Sequence, residues 1–304
     1  MTATLLDPGL RRGRRLALVS IAVSVALASL SIAVGLDAGS ASVVAIGVEF
    51  AGDVLASAVV LVGLRVASRP PDDNHPYGHG RIETVAGLLV GLVLVMAGAG
   101  IAWRAVTGLS PQPTVPAFSA VVVLLVAIVA RSAMAMQKFR VARQIGSLAL
   151  RSDAWNDSVD ILSAITGLVA VLLARSFPDS LLAADRAGAM VVGAIVVATG
   201  LGLTRTATLD LADTMPDPGM LADISRVALG VPGVAAVEKQ FARKTGLQYH
   251  IDLHVEVDPE MSVRESHRIA HDVQKRITSA LPWVAAVLVH VEPAGGVVGG
   301  DDQS

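Results

Sequence analysis

Glu49-Phe50-Ala51-Gly52-Asp53 is answered about a hundred residues later by Asn156-Asp157-Ser158-Val159-Asp160, and each stretch lies inside a long apolar segment. Residues four apart share a helix face, so each segment sets a carboxylate one turn from another oxygen-bearing side chain. Hydrocarbon cannot solvate an ionised oxygen, so intramembrane carboxylates face a bundle interior or a watery cavity. A single one reads equally well as a group bonded to backbone or placed near headgroups. The doubled i, i+4 pattern reads instead as two halves of an ion site.

Composition agrees with a membrane setting. Of 304 residues 53% are hydrophobic and 16% charged, with a mean hydropathy of +0.62, whereas charged residues approach a quarter of a soluble domain. The formal charge of -2 and 3% aromatic content offer nucleic acid neither a basic surface nor stacking platforms. With no cysteine, there is no disulfide frame, and any metal must be held by oxygen or imidazole.

Apolar runs cover about 16–34, 41–66, 82–107, 117–137, 154–175 and 187–207, each about long enough to cross a bilayer as a helix. The first run follows Arg11, Arg12, Arg14 and Arg15 and exceeds the core of a signal peptide, so it reads as a retained span. Basic residues favour the cytoplasmic side. They gather at the N-terminus, in the second connection (Arg65, Arg69, Arg81) and in the fourth (Lys138, Arg140, Arg143, Arg151), against Arg104, Arg175 and Arg186 opposite. Both termini are expected in the cytoplasm, with the six-span body in the cell membrane.

After about Thr206 the charge density rises. The pattern predicts helix 218–229, strands 235–243 and 247–257, helix 262–280 and strand 284–292. Ile251, Leu253, Val255 and Val257 alternate with His250, Asp252, His254 and Glu256, the period of a half-buried sheet. The expected organisation is a basic segment 1–15, a transmembrane domain 16–208, a cytoplasmic α+β domain of ferredoxin-like, split-βαβ type over 209–294, and a disordered tail 295–304.

Glu49, Asp53 and Asp160 offer three negative charges to a divalent ion, and Asn156 adds a neutral oxygen. Such hard donors suit Mn²⁺, Mg²⁺ and Fe²⁺. The surplus charge invites a proton, which an arriving metal would expel and a departing metal readmit. Asp157 falls on another face, and Asp153 reads as the start of the helix. A second constellation runs Asp72-Asp73-Asn74-His75-Pro76-Tyr77-Gly78-His79. Asp72, His75 and His79 have ligand-like spacing, although the same run also reads as a polar turn capping the next helix.

The run from Asp72 to Glu83, the acidic pairs, the span count and the small C-terminal domain together resemble the cation diffusion facilitator family of divalent-metal exporters over nearly the whole chain. The resemblance implies a transport site of Glu49, Asp53, Asn156 and Asp160, and a loop site of Asp72, His75 and His79. It also implies a domain site at a homodimer interface formed by Glu238, His254, His290 and Glu292, with His250 a possible helper. Strand phase independently places His254, His290 and Glu292 on polar faces. A charged interlock of the family's kind falls on Arg81 and Asp213.

The implied function is proton-coupled efflux of a divalent metal by alternating access, in a secondary transporter and not an enzyme. Zinc-type members resemble one another in having histidine at a membrane-site position, and here Glu49 and Asn156 stand in the variable places. That favours Mn²⁺, Fe²⁺, Co²⁺ or Ni²⁺, with Zn²⁺ still possible. His267 and His271, one turn apart, read more readily as a solvated helix face. Trp103, Trp155 and Trp283 read as packing or interface residues. A non-transporting membrane metal sensor or scaffold is the alternative, with little use for carboxylates at mid-membrane depth. An intramembrane metalloprotease lacks a His-Glu-x-x-His motif.

Overall fold

The computed structural model describes residues 8–67, 72–107, 114–145, 148–246 and 248–295. The first seven residues, Arg69 and residues 296–304 of the expected tail lie outside the described residues. Long helices carry the apolar runs: α1 (Pro8–Asp37), α2 (Ala41–Ala67), α3 (Arg81–Thr107), α4 (Phe118–Ile145) and α5 (Leu148–Ser176). A single turn, α6 (Pro178–Leu181), precedes α7 (Ala184–Leu211). Six of these helices are long and apolar enough to cross a membrane.

Two sequence expectations change here. The fourth connection, expected to hold Lys138, Arg140, Arg143 and Arg151, is largely helical, because α4 runs on to Ile145 and α5 starts at Leu148. Lys138, counted there as a loop charge, is 1% exposed inside α4. Asp153 does not start its helix, since α5 begins five residues earlier.

The chain divides into two compact units. The first joins Met1–Leu61 with Gly87–Thr204. Its core contains Ile46, Phe50, Leu94, Leu124, Val171, Val192 and Val196. On α4, Leu124, Ala127, Arg131, Met134 and Lys138 form the buried stripe, while Val122, Leu125, Val126 and Val129 face outward. The helix period therefore turns a basic residue inward and leaves an apolar face for lipid. Helices α3 and α7 meet backbone to backbone: a Cβ on Gly98 would stand 2.7 Å from Gly193 O, and one on Gly200 2.8 Å from Gly91 O. Small residues at such spacing allow two membrane helices to approach closely.

The second unit joins Val62–Ala86 with Arg205–Ser304. It holds α8 (Pro218–Leu229), β1 (Ala236–Thr245), β2 (Gln248–Val257), α9 (Val263–Ala280) and β3 (Val284–Pro293). The sheet order is β1-β2-β3, with β2 antiparallel to β1 and parallel to β3. That is the expected α+β arrangement, with α9 as the crossover that two parallel strands require. Asp217 caps α8 at Gly219 N, with Pro218 opening the helix. Ser262 caps α9 at Glu265 N, the sequence pattern of a capping box. Ile251, Leu253, Val255 and Val257 of β2 share one core with Ile224 of α8 and Ile269, Val273 and Ile277 of α9.

Candidate metal centre

Helices α2 and α5 bring all four expected membrane residues to one place. Glu49, Asp53, Asn156 and Asp160 line a single cavity of about 20 Å³ together with Leu94, Val159, Val196 and Thr199. That volume admits about one water-sized sphere, and hence a bare ion rather than a hydrated one. Asn156 Nδ2 donates to Asp53 Oδ1 at 3.2 Å. Ser163 Oγ donates to Glu49 Oε1 at 2.8 Å, while the buried Glu49 Oε2 has no hydrogen-bond partner. A buried acceptor without a donor is costly. A cation seated in the cavity would relieve that cost.

Three participants escaped the sequence reading. Ser163 continues the Asn156–Asp160 face of α5 by one more turn, and that i+7 spacing was a readable signal. Arg131, 2% exposed, sets NH2 2.8 Å from Asp53 Oδ2 and NH1 3.1 Å from Asp160 Oδ2. Arg131 NH1 also lies 2.8 Å from Asp157 Oδ1, and the guanidinium covers the Phe50 ring at 4.5 Å. Lys138 Nζ lies 2.7 Å from Asp157 Oδ2 and 2.8 Å from Asp153 Oδ2. Asp157 thus occupies a different face from Asn156, as its position requires, and there bridges the two basic residues. A lone arginine inside an apolar run calls for a carboxylate by the same cost that singled out Glu49.

In the second unit, Asp72, His75 and His79 come together with their ligand atoms within 4.8 Å of one another. Asp72 Oδ1 accepts from His75 Nδ1 at 2.9 Å and from the backbone N of His75 at 2.7 Å. Asp72 Oδ2 lies 3.3 Å from His79 Nε2. The hydrogen bond from His75 holds the Asp72 carboxyl below its ordinary range. Gly78 takes a left-handed φ of 79° to close this turn. The turn rests on the β1–β2 hairpin: a Cβ on Gly80 would meet Thr245 O at 2.6 Å. Arg243 stands over the Tyr77 ring at 5.0 Å, and Arg81 pairs with Asp213 as expected.

His254, His290 and Glu292 form a third group with ligand atoms within 4.8 Å. His254 and His290 are register partners on β2 and β3, and Glu292 Oε1 lies 2.6 Å from His254 Nδ1. Glu238, at the irregularity in β1, shares a hydrogen bond with Glu292. That bond raises the Glu238 carboxyl above its ordinary range and lowers Glu292, which His254 lowers further. His250 stands apart from this group, edge-on to Tyr77 at 5.7 Å. Burial and then the Arg243 charge lower its imidazole. His267 and His271 lie on the outer face of α9 with ring centroids 4.7 Å apart. Trp283 packs edge-on against Tyr249 and Trp155 against Phe139, while Trp103 is exposed near the end of α3.

Comparison with known proteins covers the same extent. Residues 17–212 match the family described as cation efflux transmembrane domain, and residues 216–294 match cation efflux protein, cytoplasmic domain. The chain is 27% identical over 285 residues to the manganese efflux system protein MneP of Bacillus subtilis, covering 92% of this chain and 96% of that protein. It is 28% identical over 306 residues to metal tolerance protein C1 of Arabidopsis thaliana, covering 94% of this chain and 64% of that protein. Among solved structures, the MamM CTD is 29% identical and covers 25% of this chain and 95% of that chain, with a TM-score of 0.24.

Proposed function

Because this chain belongs to the cation diffusion facilitator family of metal exporters, we propose that it exports Mn²⁺, or a hard divalent ion close to it, from the cytoplasm in exchange for protons. The observation that carries this reading is the one-ion cavity between α2 and α5, where the buried Glu49 offers an unpartnered oxygen beside Asp53, Asn156 and Asp160. Its donors are all oxygen. Manganese rather than zinc fits such a set, and the similar Bacillus subtilis protein is named for manganese efflux.

The ion sheds its water on entry, and the site's oxygens replace the lost hydration. Three desolvated carboxylates crowd negative charge together, so an arriving metal expels protons from them and a departing metal readmits protons. Alternating access exposes the four residues first to one side and then to the other. Basic residues at the N-terminus and in the second connection favour the cytoplasmic side, which puts both termini there. The Asp72, His75 and His79 turn and the Glu238, His254, His290 and Glu292 group are further metal sites. The latter lies between the two protomers of a homodimer, where metal binding tightens the pair. A sensor that binds without transporting leaves the membrane cavity without a task.

Purified protein in proteoliposomes, assayed with Mn²⁺, Fe²⁺, Co²⁺, Ni²⁺ and Zn²⁺ under an imposed pH gradient, tests the reading. Metal flux coupled to proton movement, led by Mn²⁺ and abolished by Asp53→Ala, is expected. Flux that persists in Asp53→Ala, or that ignores the pH gradient, overturns it.

A further inference from the structure

The carboxylates of the membrane cavity already share their oxygens with a cation that the protein itself supplies. Arg131 reaches Asp53 Oδ2 and Asp160 Oδ2, and the other Asp53 oxygen accepts from the Asn156 amide. Asp53 therefore has a donor on each oxygen, and a metal ion that coordinates it must crowd these donors or displace one of them. A metal and a guanidinium on the same carboxylates also repel each other at short range in a setting that screens them poorly. Metal and arginine compete.

The same geometry makes the arginine displaceable at moderate cost. NH1 also lies 2.8 Å from Asp157 Oδ1. Lys138 anchors Asp157 from its far side and extends the pairing to Asp153. Released from Asp53 and Asp160, the guanidinium keeps a charged partner, so it is not left buried and unpaired. Phe50 supplies a flat surface against it.

We propose that Arg131 is a tethered competitor of the transported cation: it yields Asp53 and Asp160 to an entering metal while staying on Asp157, and retakes them as the metal leaves. The inference rests on the reading of Glu49, Asp53, Asn156 and Asp160 as the transport site. It adds a role for α4, a helix that supplies none of those four residues. The competitor keeps affinity low enough for release. It also filters by charge, since an ion must bring two charges to displace a singly charged fork that is already in place, and Na⁺ or K⁺ cannot.

The test is Mn²⁺ flux into proteoliposomes, comparing wild type with Arg131→Met, Arg131→Lys and Asp160→Ala. In Arg131→Met the half-saturating Mn²⁺ concentration falls about tenfold or more and the maximal rate falls with it, because binding loses its competitor and release loses its helper. Added Na⁺ inhibits Arg131→Met and leaves wild type unaffected. An ammonium cannot span the three carboxylates as the guanidinium fork does, so Arg131→Lys shifts the same way by about threefold. Should Arg131→Met fail to fold, Arg131→Lys decides. Half-saturation that is unchanged or raised in a folded variant marks Arg131 as a structural brace and overturns the proposal. If Asp160→Ala loses flux while the Arg131 variants keep wild-type half-saturation, only the competitor fails. If Asp160→Ala transports like wild type, the transport-site reading fails and takes the competitor with it.

Discussion

Replacing Asp160 with asparagine keeps the side-chain volume and deletes one charge from the membrane cavity. Asp160 is 2% exposed, with Oδ2 3.1 Å from Arg131 NH1. Arg131 retains Asp53 and Asp157 at 2.8 Å each, so the bundle keeps its internal charge pairing and folds. A bound divalent ion fares worse, because two carboxylates rather than three then face its two charges. Removing one member of a buried charge set costs about 3–5 kcal/mol, which is roughly a 150- to 4,000-fold loss of apparent metal affinity. A metal-sensitive dye trapped inside proteoliposomes reads the flux, and gel filtration in detergent checks the fold. Asp153→Asn is the internal contrast: it removes a carboxylate from the same helix whose side chain is 47% exposed and pairs with Lys138 outside the cavity. Lys138 keeps Asp157 at 2.7 Å as its partner, so flux stays within about threefold of wild type. Equal losses in the two variants would refute the placement of the site.

Asn156→His introduces an imidazole donor among the oxygens and raises Zn²⁺ flux relative to Mn²⁺ in the same vesicles; an unchanged ratio sinks the hard-donor argument. Glu238 holds its proton above the ordinary range, chiefly through the bond to Glu292. That contribution to stability is present in acid and is lost as pH rises through the raised value. The lowered Glu292 contributes above its ordinary value and loses that as pH falls through the lowered one. Glu238→Gln keeps a donor at every pH, so the decline in its thermal midpoint as pH rises above the ordinary carboxylate range is flatter than that of wild type; identical profiles would refute the shared proton. Gly98→Val drives a side chain into the α7 backbone, 2.7 Å from Gly193 O at its Cβ, and costs about 1–3 kcal/mol in packing. An unaltered thermal midpoint in detergent would show that α3 and α7 do not meet there.

Much of the site was legible because its signals are local. Glu49 with Asp53, and Asn156 with Asp160, stand one turn apart in apolar runs, and the structure gathers all four around one cavity. The strand phase of β2 separated His254 from the buried Ile251, Leu253 and Val255, and Asp72, His75 and His79 were close enough in sequence to converge in one turn. Apart from Ser163 on α5, the residues that local spacing does not reveal lie on α4. Arg131 and Lys138 follow the buried stripe of Leu124, Ala127 and Met134, but Lys138 sits where an apolar run gives way to charge, so hydropathy alone assigns it to the loop. Only its contacts with Asp153 and Asp157 show why the helix continues past it.

The order of residues along this chain by itself determined six membrane-length helices, an alternating sheet and two acidic turns, since hydropathy, period and i, i+4 spacing depend on neighbours within one element. Only the tertiary structure decided that α4 contributes a guanidinium to the carboxylates of α2 and α5, that Ser163 holds Glu49, and that Glu49, Asp53, Asn156 and Asp160 line one small cavity. It likewise decided that the Asp72, His75 and His79 turn after α2 rests on the β1–β2 hairpin. The reason is that a buried charge takes whichever partner the packing of several helices brings within reach, and that choice depends on distances between segments far apart in sequence.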